Sequence, residues 1–182
     1  MKNAILLHGT GNSPDSFWLP YIRNVLQQRG FDVWSPQLPN HERPNLADQL
    51  PFMLENGTYT SETVMIAHSA GCPLTLAVLE KIPIQIKQAI LVAGFVQPTG
   101  YLEPFKPLLR DPYDWKTIQH RVQDFIAINS ENDPWGCNDT QGRIMAEAMG
   151  GTLIIAFGEG HMGSHYYQQP YTEFPLLAKL ID

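Results

Sequence analysis

Short apolar runs alternate along the chain with longer stretches in which apolar residues recur every three or four positions. The short runs predict strands over residues 4–7, 31–34, 63–67, 88–93, 125–128 and 153–156. The longer stretches predict helices over 17–28, 46–54, 69–81, 140–149 and 172–180, with a single helical turn over 117–122. In the first, Phe17, Tyr21, Ile22 and Val25 share a face, and Gly30 can end it. Pro51 interrupts the second early. The connection from Phe95 to Lys116 carries Pro98, Pro104, Pro107 and Pro112 and predicts no regular element. Strands that are apolar throughout and alternate with helices imply a parallel sheet covered on both faces. The expected class is therefore α/β: six strands, mostly parallel, joined by right-handed crossovers, in one domain spanning 1–182. A chain of 182 residues suits one domain, one that buries roughly 70% of its unfolded surface.

In open sheets of this kind ligands bind beyond the C-terminal ends of the strands. The residues just after each predicted strand are thus the place to look for chemistry. After the first comes His8-Gly9-Thr10-Gly11-Asn12. After the third comes His68-Ser69-Ala70-Gly71, and after the fifth Ser130-Glu131-Asn132-Asp133-Pro134-Trp135. After the sixth comes Phe157-Gly158-Glu159-Gly160-His161-Met162. A serine, an aspartate and a histidine appear at three strand ends in the order Ser69, Asp133, His161. That is the order of the triad in α/β-hydrolases.

Each residue type has a reason to be there. A serine hydroxyl is a weak nucleophile at neutral pH and needs an adjacent base. His161 can take its proton and return it to a leaving group, and Asp133 can orient the imidazole. A sharp strand-to-helix turn lifts the serine oxygen clear of the backbone, with φ above zero expected at Ser69. Ala67-His68-Ser69-Ala70-Gly71 has the spacing of such an elbow, with alanine where glycine is usual. That alanine is expected to crowd the turn by one methyl group. The Ala70 N–H, and that of Thr10 or else Gly11, can stabilise an oxyanion.

Plainer readings stand beside these. Ser69 alone suits a helix N-cap, and Asp133 before Pro134 suits a turn. Asp114 and Asp139 are rival acids, ranked behind Asp133. His161 and His165 are four apart, but the glycines between and around them disfavour a zinc-binding helix, so no metal is expected. His68 suits packing or hydrogen bonding, and Cys72 suits the core. The conjunction at three strand ends favours the catalytic reading.

Composition narrows the partners. The formal net charge of −6, without a basic cluster, argues against nucleic acid. No apolar run approaches the ~20 residues of a membrane span, and the N-terminal apolar core is too short for a signal peptide. Two cysteines, Cys72 and Cys137, do not make a disulfide framework. A cytoplasmic protein is expected, a monomer or weak homodimer.

H-G-T-G after the first strand, A-H-S-A-G at the elbow, N-D-P-W after the fifth strand and G-E-G-H-M after the sixth carry a resemblance. Over nearly the whole chain it resembles the small α/β-hydrolase-fold serine hydrolases grouped with the retinoblastoma-binding serine hydrolase and YdeN. The resemblance implies a compact, nearly lidless hydrolase with Ser69, Asp133 and His161 as its triad. It also implies cleavage of a small-molecule ester or amide without a cofactor. His8, Gly11, His68, Phe95, Trp115, Trp135 and Met162 are candidates for the pocket. The alternative is a hydrolase-like scaffold that binds a protein partner with little chemistry.

Overall fold

The computed structural model describes residues 2–181. In chain order the elements are β1 (Asn3–Leu7), α1 (Leu19–Gln28), β2 (Asp32–Trp34), α2 (Leu46–Asn56), β3 (Val64–His68) and α3 (Gly71–Lys81). Then come β4 (Ile86–Val92), a 3₁₀ helix (Gly100–Leu108), α4 (Trp115–His120), β5 (Val122–Asn129), α5 (Asp139–Met149), β6 (Thr152–Ile155) and α6 (Pro175–Leu180). The six strands form one sheet in the order β2-β1-β3-β4-β5-β6. Every pairing is parallel, with registers such as Leu7 to Ala67 and His68 to Val92.

The central strands are apolar on both faces because both are covered. Ala4, Leu6, Val64, Ile66, Ile90, Val92, Ile126 and Ile128 point to one side, where α1 and α6 supply Leu19, Ile22, Leu26 and Leu177. Ile5, Leu7, Met65, Ala67, Ala89, Leu91, Phe125 and Ala127 point to the other, against Met53, Leu74, Val78, Ile118 and Met145 of α2 to α5. The period of two is hidden in the sequence because neither face meets water.

The order reverses beside β1: its chain continuation β2 lies on one side and β3 on the other. The crevice beyond the C-terminal ends of β1 and β3 is the topological switch point, where ligands bind in open α/β sheets. It is flanked by Gly9-Thr10 and by Ser69.

Element boundaries depart from expectation where the backbone turns left-handed. Phe17 has φ 54°, so α1 begins at Leu19 rather than at 17. Ser69 has φ 52°, so α3 begins at Gly71 rather than at 69. The proline-rich connection is not irregular throughout, since residues 100–108 wind into the 3₁₀ helix with Pro104 and Pro107 inside it. Its side chains Leu102 and Leu108 are buried, and among the described residues no larger cap stands over the strand ends. No helix among the described residues is long and apolar enough to cross a membrane.

Candidate active site

Ser69 follows β3 directly. Its N–H donates to Val92 O at 2.9 Å, and its carbonyl accepts from Cys72 N at 2.9 Å. Those bonds pin a residue whose left-handed φ of 52° is uncommon for a non-glycine. The α3 cap position is Ala70, and no side chain caps that helix. Ser69 is therefore not the N-cap that it resembles in the sequence.

Gly71 has no room for a side chain. A Cβ there would stand 3.0 Å from both Cβ and O of Leu7 and 3.1 Å from His8 O. The crowding comes from the end of β1, not from Ala67. The Ala67 methyl lies in the buried cluster between the sheet and α3, beside Leu7, Met65 and Cys72. Alanine at position 67 thus fills core volume rather than tightening the turn.

The loop after β1 passes close to the serine. A Cβ on Gly9 would lie 3.0 Å from Ser69 Cβ and 3.5 Å from its Oγ. His8 fixes this loop. Its Nε2 accepts the Leu38 N–H at 3.0 Å. A backbone N–H can only donate, so the proton sits on Nδ1. That Nδ1–H donates to Gly9 O at 2.8 Å. Asn12 N approaches the same carbonyl at 3.4 Å. In a trans peptide the N–H lies opposite the carbonyl, so holding Gly9 O sets the direction of the Thr10 N–H. Gly11 N–H is spent on His41 O at 2.9 Å. Among the described residues neither Thr10 N–H nor Ala70 N–H has an acceptor within the protein.

Asp133 and His161 meet across two laced loops. Three successive backbone N–H groups after β6 are received by side chains after β5. Gly158 N donates to Glu131 at 3.1 Å, Glu159 N to Ser130 Oγ at 3.2 Å and Gly160 N to Asn132 Oδ1 at 2.9 Å. The next residue on each side is the pair itself, with His161 Nδ1 2.7 Å from Asp133 Oδ2. Asp133 Oδ1 accepts Trp135 N–H at 2.8 Å, so both carboxylate oxygens are engaged. The Asp133 side chain is fully covered. With Nδ1 held by the carboxylate, Nε2 is the nitrogen left for chemistry.

The rival acids have other partners. Asp114 caps α4, accepting Thr117 N at 3.0 Å and Thr117 Oγ1 at 2.7 Å. Those bonds hold its pKa below the ordinary value. Asp139 opens α5 and pairs with Arg143 at 3.3 Å.

Two further rings hold the histidine loop. His68 Nε2–H donates to His161 O at 2.9 Å, and Trp18 Nε1–H donates to Met162 O at 2.9 Å. His68 packs against His161 with ring centroids 4.9 Å apart. Burial pushes the pKa of His68 down to about 3, and the neighbouring His161 lowers it further. Burial likewise lowers that of His8. Both rings stay neutral in the folded protein at neutral pH.

Ser69 and His161 open on one cavity of about 320 Å³. Of the seven pocket candidates, Gly11, Phe95 and Trp135 line it and four do not. His8 is buried under the first loop and His68 behind the histidine loop, each committed to backbone groups. Met162 is buried in the core with φ 50°, offering its carbonyl to Trp18. Trp115 stacks on Tyr113 at 4.8 Å, over the opposite face of the sheet. The sequence missed Phe17, Leu102, Cys137 and Tyr166, which do line the cavity. They come from four separate segments with no shared motif, and only the left-handed turn at Phe17 brings that ring to the site.

Among the described residues one group could hold a cation: ligand atoms of Asp133, Cys137 and His161 lie within 4.8 Å of one another. The carboxylate and imidazole already engage each other, and burial pushes the Cys137 thiol up, away from the thiolate a metal needs. The donor set therefore fits a metal poorly. His165 is exposed, its ring tilted against Phe17 with centroids 4.7 Å apart.

Relatives share this framework. YdeN of Bacillus subtilis (strain 168) is 28% identical over 135 residues, 72% of this chain and 71% of that protein. The crystal structure of the B. subtilis ydeN gene product superposes with a TM-score of 0.88 at 24% identity, covering 99% of this chain and 96% of that one. Est1E from Butyrivibrio proteoclasticus, solved with ferulic acid bound, shares the fold at a TM-score of 0.69 and 11% identity, covering 100% and 86%. Residues 4–181 match the family model for serine hydrolases, and the chain belongs to that family, with the α/β-hydrolase fold.

Proposed function

We propose that this hydrolase cleaves a carboxylic ester or amide through an acyl-enzyme formed on Ser69. The observation that carries the reading is the shared cavity. Ser69, held left-handed at the end of β3, and His161, held at Nδ1 by Asp133, both open onto it.

The steps of the proposed reaction use these groups in turn. His161 Nε2 takes the Ser69 proton as Oγ attacks the carbonyl carbon. Asp133 keeps the proton on Nδ1 and stabilises the imidazolium that forms. The carbonyl oxygen gains negative charge and meets the free N–H groups of Thr10 and Ala70, with the positive end of the α3 dipole behind them. His161 then gives its proton to the leaving alcohol or amine. Water attacks the acyl-enzyme by the same route in reverse, and the acid departs. All the groups needed are side chains and backbone of this chain, so the scheme uses no cofactor.

Labelling with a fluorophosphonate tests the reading. The native protein becomes labelled and Ser69→Ala does not. His161→Ala and Asp133→Asn label slowly; the acid-to-amide change costs roughly 10⁴-fold in kcat in the template case. A folded native protein that stays unlabelled refutes the scheme.

A further inference from the structure

The cavity wall carries information about the substrate. Its apolar side is built by Phe95, Leu102, Phe105 and Trp135, faced across the site by Phe17. Among the described residues no Asp, Glu, Lys or Arg lines it. Asp133 is the nearest buried acid, and both of its oxygens are engaged. On the loop side stands Glu42, its Oε2 3.4 Å from where a Cβ on Gly11 would stand. Its side chain is 76% exposed and belongs to the rim. At about 320 Å³ the cavity is small, near the low end of the ~300–1,000 Å³ of ligand sites.

The groups that face the reacting carbon directly are positive or become so, and the Asp133 carboxylate is held behind the imidazole. The α3 N-terminus and the Thr10 and Ala70 N–H groups face it, and His161 becomes a cation during the reaction. An ammonium on the acyl group's α carbon would meet these donors with no counter-charge in the wall. A carboxylate on the acyl group would lose its hydration against phenyl rings and Leu102. We infer that the site takes a neutral ester with a short apolar or aromatic acyl group, and rejects acyl groups that carry an ammonium or carboxylate. This rests on the reading of Ser69 as nucleophile, and it adds the substrate class. The 3₁₀ helix sets that selectivity through Leu102 and Phe105.

Two matched pairs of p-nitrophenyl esters test it. 3-Phenylpropanoate and phenylalaninate differ only by the α-ammonium, and pentanoate and hydrogen adipate differ by a terminal carboxylate. After correction for each ester's rate with hydroxide, kcat/KM is expected to favour the neutral member of each pair by about 10²-fold or more. Phe105→Glu should narrow the gap for the ammonium ester while fluorophosphonate still labels Ser69. Equal or better turnover of the charged esters overturns the inference. So does labelling of Ser69 without turnover of either neutral ester, an outcome that leaves the nucleophile reading intact. Failure to label the native protein removes both.

Discussion

Two single-residue details decide how Ser69 is presented, and they make opposite predictions. Ala67 stands where glycine is usual in an elbow, yet its methyl packs in the core beside Cys72. Ala67→Gly should cost about 1–2 kcal/mol, from one buried methyl and the extra backbone entropy of glycine in a strand. Fluorophosphonate labelling should be unchanged. Urea unfolding and labelling kinetics on the same variant check this, and a large gain in labelling rate would show that the elbow is crowded after all. Gly9 is the reverse case. A Cβ there would press on Ser69 Cβ at 3.0 Å. Gly9→Ala should slow labelling by about 10²-fold, because a displacement of about 1 Å is enough for that loss. Its far-UV circular dichroism should match the parent's. Unchanged labelling would mean that the loop after β1 can move aside without consequence.

At the scale of elements, the site is a matter of loops tied to one another. The segments after β5 and β6 are laced by side chains of residues 130–132 onto the backbone of residues 158–160. Asn132 is the knot, accepting from Gly160 N at 2.9 Å and from Ser130 Oγ at 2.7 Å. Asn132→Ala removes both bonds without touching Ser69, Asp133 or His161. Turnover of p-nitrophenyl esters should fall by about 10-fold or more through kcat, since the imidazole loses its fixed position. A variant with full kcat would show that the Asp133–His161 bond holds the loops unaided. The 3₁₀ helix plays a different part. It stands in for the large cap of bigger hydrolases, closing one wall with Leu102 and Phe105 and leaving the exposed Tyr166 at the mouth.

For the whole molecule, buried neutral histidines tie stability to pH. The His68 pKa is about 3 when folded and 6.5 as a free side chain. Below pH 6.5 the unfolded chain binds a proton that the folded chain refuses, so stability falls as pH falls. The contribution is complete above pH 6.5 and drains away down to about pH 3. Its steepest slope is about 1.4 kcal/mol per pH unit. His8, lowered by burial too, adds to the slope in the same direction. Urea midpoints taken at about pH 7.5 and pH 5 should drop measurably in the native protein and less in His68→Gln. Equal midpoints in the native protein would mean that His68 is not held neutral.

How much of this was written in the sequence can be traced residue by residue. Continuous apolar runs alternating with helical ones determined the six-stranded α/β arrangement, because a strand buried on both faces must be apolar throughout. The same reading located Ser69, Asp133 and His161 after three strands, since local turn chemistry shows where a strand ends. It did not determine which side chains share a space. Trp115 sits in an aromatic segment near the site in sequence, yet α4 carries it to the other face of the sheet. His68 is next to Ser69, but alternation along the strand end turns its ring behind the His161 loop. Phe17 and Tyr166 enter the cavity from segments far apart in the chain. The local pattern fixes the period of an element and where it stops. Which residues meet across elements depends on strand order, register and single left-handed turns, and only the packed fold decides those.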